Sequence, residues 1–93
     1  MLRATLLLAA LAAPPALAQG APLVAEGCLG CHGPRGAGAT GVPTLAGRDK
    51  AELVALMAAF RANERPATIM NRIVRGYSDA ELAAAAEHFA AQR

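Results

Sequence analysis

Residues 27–41 read GCLGCHGPRGAGATG. Cys28 and Cys31 stand one helical turn apart, and His32 follows at once. Two thiols at that spacing can form a redox pair, half of a metal site, or thioethers to the two vinyl groups of one porphyrin. In the last case the adjacent imidazole reaches the iron from one face. Gly36, Gly38 and Gly41 add a fourth reading, the G-x-G-x-x-G of a dinucleotide loop. These chemistries exclude one another, so the rest of the chain must choose.

The dinucleotide pattern works only between a buried strand and a helix N-terminus. Here Cys31 and His32 precede it, and VPTLAG follows it. The chain is also too short for a doubly wound sheet. These glycines suit a loop that passes close to a bulky group. A redox pair needs a βαβ setting, and no such unit is legible. A disulfide between Cys28 and Cys31 would close a very small loop and stabilise little. A structural zinc ion needs four ligands, and only His88 is left to join Cys28, Cys31 and His32. Neighbouring Cys31 and His32 cannot easily both face a tetrahedral ion from a normal turn. A haemless thiol or metal-binding module is therefore the remote alternative. The thioether reading predicts one covalently attached haem c, with His32 as the proximal iron ligand.

Two features outside the stretch favour haem. First, MLR gives the chain a positive start, ATLLLAALAA is a short apolar run, and PPALA ends in Ala16-x-Ala18. This is the form of a secretory signal cleaved after Ala18. The reading makes residues 1–18 a signal peptide and residues 19–93 one monohaem domain, placed in the periplasm. Covalent haem attachment belongs outside the cytoplasm. Second, the 93-residue chain is 55% hydrophobic but only 3% aromatic. About half of its apolar residues are alanine, which buries little area. Phe60, Phe89, Tyr77 and a few Leu, Val and Ile make a thin core for so small a domain. A large flat apolar group would fill it.

Charge excludes rather than selects. The formal net charge is +2, and the bases are scattered without aromatic interleaving. No nucleic-acid surface is expected. After the leader, no apolar stretch is long enough to cross a membrane.

The positioning elements are helical. PLVAEGCLGC is a short helix that ends at the cysteines. HGPRGAGATGVPTLAG, rich in glycine and proline, is irregular. RDKAELVALMAAFRANE is a strong helix, with Asp49 and Glu52 as a capping-box-like start. Leu53, Met57 and Phe60 share one of its faces. After Pro66, ATIMNRIVRG predicts a short helix with Gly76 as a left-handed C-cap. SDAELAAAAEHFAAQR opens on a second capping box, Ser78 and Glu81, and aligns Leu82, Ala86 and Phe89. Nothing alternates with period two, so the fold class is all-α, about four helices around one haem.

Three side chains compete for the distal face of the iron. Met57 lies on an apolar helix face, where methionine is usually core. His88 lies on the side of its helix away from Leu82 and Phe89. Met70 follows Pro66, far enough beyond His32 for the chain to wrap a haem edge. The spacing favours Met70. A thioether there raises the reduction potential and closes the iron to small molecules, which suits electron transfer. His32 also needs an acceptor for its second ring nitrogen. The carbonyl of Pro43 is one candidate, and an ordinary loop proline is the equal alternative.

From about Glu26 to Ala91 the chain resembles the small class I c-type cytochromes. EGCLGCHGPRG, PTLAGRDKAELVALMAAFR and YSDAELAAAAEHFA carry the likeness. More narrowly, ERPATIMNRIVRGYSDAEL is similar to the cytochrome subunit of flavocytochrome c sulfide dehydrogenase. The resemblance implies a class I cytochrome fold, Met70 as distal ligand and Pro43 as acceptor from His32. It implies no catalytic residue in this chain. A separate FAD flavoprotein would oxidise sulfide, and the cytochrome would pass its electrons to a soluble carrier or an oxidase. Some members of that family have two haem domains, whereas this chain has a single C-x-x-C-H. A free-standing monohaem shuttle is the alternative.

Overall fold

The computed structural model describes residues 22–93, together with the isolated Thr5. The expected leader, residues 1–18, otherwise lies outside the described residues. Four α-helices follow in order: α1 (Leu23–His32), α2 (Lys50–Arg61), α3 (Met70–Ile73) and α4 (Asp79–Ala90). Among the described residues the only β-pairing is an isolated bridge between Ala39 and Val42.

Local chemistry explains where the helices begin and end. Asp49 caps α2 by accepting the Glu52 amide at 3.3 Å. The Glu52 side chain does not return the bond but pairs with Arg48. Ser78 caps α4 with a full capping box: its hydroxyl accepts from Glu81 N–H at 3.1 Å, and its own N–H donates to Glu81 Oε1 at 2.9 Å. α1 ends because Gly33 takes a φ of +82° and donates its N–H to Leu29 O. α2 stops three residues short of the expected Glu64, with Asn63 at a φ of +56°. Beyond α3 the chain tightens into a 3₁₀ turn, Val74–Gly76. Gly76 is not the left-handed cap that the sequence suggested. It stays outside the positive-φ set, and Tyr77 ends the turn in extended backbone.

α4 is the central element, and it packs against both α1 and α2. The core cluster is Val24 and Ala25 from α1, Leu53 from α2, and Ala85, Ala86 and Phe89 from α4. Three of its six members are alanine, which lets helix backbones approach closely but buries little area. Leu82 and Val74 are also buried, Val74 completely. Phe60 departs from expectation. It is half-buried and lies under the Arg65 guanidinium, 5.6 Å from the ring centroid. Leu53 and Met57 supply the inward face of α2 instead.

Candidate haem-attachment site

α1 carries Cys28, Cys31 and His32 in its C-terminal half. Both cysteines are free thiols, Cys28 half-buried and Cys31 exposed. Burial pushes the Cys28 thiol above its ordinary pKa. A thiolate-based redox pair needs the opposite shift. Among the described residues no three His, Cys, Asp or Glu side chains converge as a metal-binding group. Cys28, Cys31 and His32 therefore do not close a tetrahedral site by themselves.

His32 is the one buried polar residue of the described chain, at 7% exposure. Its Nδ1 meets the carbonyl oxygen of Pro43 at 2.8 Å. With Nδ1–H donating there, Nε2 keeps its lone pair and can act as a metal ligand.

The loop between α1 and α2 makes that contact by doubling back. Gly38 N–H donates to His32 O at 2.6 Å. The Gly36 carbonyl accepts from Leu45 N–H at 2.7 Å, Ala46 N–H at 3.0 Å and Thr44 Oγ1 at 3.2 Å. The two limbs lie so close that a Cβ on Gly38 would stand 3.1 Å from Thr44 N. Pro43, one residue before Thr44, is thereby delivered to His32. The loop is anchored on α4, where Gly47 N–H donates to Phe89 O at 2.9 Å. A Cβ on Gly36 would stand 2.6 Å from the Phe89 ring. Glycine is required at Gly36 for that approach and for its φ of +72°.

Met57 and Met70 have different surroundings. Met57 packs against the core cluster, whereas Met70 is not among the residues packed there. Met70 opens α3 and is half-buried. Beside it, the Asn71 amide oxygen is buried with no hydrogen-bond partner. The protein alone leaves this side unfinished. His88 is accounted for locally: its ring lies edge-on to Phe89, with centroids 5.2 Å apart, and Gln92 contacts its Nε2.

These features fit a haem. The two free thiols lie one helical turn apart on α1, and the buried imidazole beside them is oriented through Nδ1. A methionine and an unpartnered amide border another element. Sequence reasoning placed Tyr77 in the core, where it packs, but missed its contacts and those of Arg61. Arg61 Nη2 donates to Tyr77 O at 2.6 Å and to Val74 O at 3.2 Å, and Nη1 pairs with Asp79. The Tyr77 hydroxyl lies 2.7 Å from where a Cβ on Gly27 would stand, one residue before Cys28. No local pattern announces either contact.

A model of the cytochrome c family matches residues 17–90. A thiosulfate dehydrogenase electron acceptor from Stutzerimonas stutzeri (strain A1501) is 42% identical over 67 residues, covering 68% of this chain and 31% of that protein. A cytochrome subunit of sulfide dehydrogenase from Chlorobaculum tepidum (strain ATCC 49652 / DSM 12025 / NBRC 103806 / TLS) is 31% identical over 62 residues, covering 67% of this chain and 56% of that protein. The chain thus spans between about a third and about half the length of these curated relatives.

Proposed function

The chain belongs to the cytochrome c family and carries a covalently bound haem c, and on that premise we propose that it is an exported one-electron partner of a sulfur-compound dehydrogenase. Haem c supplies a one-electron iron couple. Cys28 and Cys31 would hold it through thioethers, and His32 Nε2 and Met70 would supply the iron ligands. The Pro43 carbonyl at Nδ1 would fix the tautomer and orientation of the His32 ring, leaving Nε2 free for the iron. No residue of the chain is catalytic. It receives electrons from a dehydrogenase and passes them to a soluble carrier or an oxidase. Cleavage after Ala18 places it in the periplasm.

The observation that carries the electron-transfer reading is the buried His32 bound at Nδ1 to Pro43, with both neighbouring thiols free. The sulfur connection rests on the two relatives. The primary donor proposed is a sulfide-oxidising flavoprotein that holds FAD, because residues 64–82 resemble that family's cytochrome subunit. The 42% identity to a thiosulfate dehydrogenase electron acceptor supports a second reading, in which a thiosulfate-oxidising enzyme is the donor.

The test is reconstitution. The holoprotein, checked by its pyridine haemochrome, is mixed with each dehydrogenase and its substrate, and reduction is followed optically. Fast reduction by sulfide with the flavoprotein supports the first reading, and fast reduction by thiosulfate with its enzyme supports the second. Reduction by neither, with rapid exchange to unrelated redox proteins, makes the chain a free shuttle and overturns both.

A further inference from the structure

We propose that Arg61 is the positioning residue of the Met70 segment, a clamp that holds the distal side shut. The proposal rests on Met70 as the distal ligand. Arg61 is the last residue of α2. Its guanidinium reaches three points on the chain that follows Met70: Val74 O, Tyr77 O and the Asp79 carboxylate. Val74 N–H in turn donates to the Met70 carbonyl as the cap of α3. One guanidinium is therefore two hydrogen bonds away from the ligand residue itself.

The mounting gives this contact its weight. α3 has only four residues, and its principal packing partner is α2. So short a helix has little stability of its own. Upstream of Met70, residues 62–69 are exposed and non-helical. His32 is on α1, and the Met70 segment joins the rest of the fold at α2, the Val74–Gly76 turn and the start of α4. Arg61 ties all three together. Tyr77 extends the tie to α1, since its hydroxyl lies against Gly27. A planar fork can serve two carbonyls and a carboxylate at once, which a lysine ammonium cannot do with the same geometry.

The test uses holoprotein and imidazole, which replaces a distal thioether only when the segment opens. The readouts are imidazole affinity and the thioether-to-iron charge-transfer band. Arg61→Met and Arg61→Lys are expected to bind imidazole at least about tenfold more tightly than wild type, since even one lost charge-assisted bond is worth that much. Asp79→Asn leaves both carbonyl contacts and is expected to change affinity by less than about threefold. Gly36→Ala, destabilised through the loop on the proximal side, is the control for general loosening. If it raises imidazole affinity as much as Arg61→Met, the clamp is overturned. If Met70→Ala abolishes the band while both Arg61 variants bind imidazole like wild type, the clamp fails and the ligand assignment stands. If Met70→Ala keeps the band, the ligand assignment fails and takes the clamp with it.

Discussion

The His32 imidazole and the Pro43 carbonyl meet at 2.8 Å across a loop that closes on itself through Gly36 and Gly38. The acceptor is a main-chain oxygen, so the contact depends on the path of the loop and not on the side chain at position 43. Pro43→Ala is therefore expected to keep the bond. It should cost about 0.4–1 kcal/mol, because the unfolded chain gains freedom at that position. NMR of the reduced holoprotein checks this by looking for a slowly exchanging His32 ring N–H. Its disappearance in Pro43→Ala would show that the ring itself sets the path.

Two glycines in one loop should respond differently to the same methyl group. Gly36→Ala puts a Cβ 2.6 Å from the Phe89 ring at a φ of +72°. Gly41→Ala meets nothing within 4 Å, although its φ is +75°. Backbone strain alone costs about 1 kcal/mol at either site. Overpacking adds about 1–3 kcal/mol at Gly36 only. Urea denaturation of the two holoproteins measures the difference, and equal losses would mean that Phe89 simply moves aside.

Acid stability should carry the signature of one cap. The Ser78 backbone N–H, and then its hydroxyl, hold Glu81 below the ordinary carboxylate pKa. A carboxyl with a lowered folded pKa contributes stability above its unfolded pKa and loses it as pH falls through the folded value. Glu81→Gln should therefore be less stable than wild type at neutral pH and converge with it in acid. Glu81 is exposed, so the gap should be small and should shrink with salt. Urea midpoints between pH 7 and 3 test this, and a gap constant with pH would remove Glu81 as its source.

Legibility in the sequence followed the range of the contacts involved. Asp49 and Ser78 announce α2 and α4 because a cap is written within four residues. The Cys28–Cys31–His32 spacing is likewise local. The loop path was not legible, since it depends on Gly36 meeting Phe89 from the far end of the chain. The Gly76 cap was misread for a related reason. Arg61 satisfies the Val74 and Tyr77 carbonyls, so a left-handed glycine is not needed to end that turn. Arg61 itself looks in sequence like an ordinary basic residue favouring a helix C-terminus. Phe60 read as core from its spacing, yet Arg65 covers its ring at the half-exposed end of α2.

The two methionines of the described chain should separate in a single experiment. Met57 packs on the core cluster beside Leu53, so its side chain is already engaged with protein. Met57→Leu conserves volume and is expected to cost less than about 1.5 kcal/mol, leaving the visible spectrum unchanged. Met70 lies outside that cluster, on a four-residue helix next to the unpartnered Asn71 amide. Met70→Leu is also close in volume, but leucine has no sulfur to offer the iron. It should abolish the thioether-to-iron band, lower the reduction potential and open the distal face to imidazole, with little change in helix content by circular dichroism. Both substitutions remove one sulfur and nearly conserve volume, so loss of the band at one position with helix content retained reports which sulfur serves the iron. Retention of the band in Met70→Leu and its loss in Met57→Leu would reverse the assignment and make α2 the ligand-bearing helix.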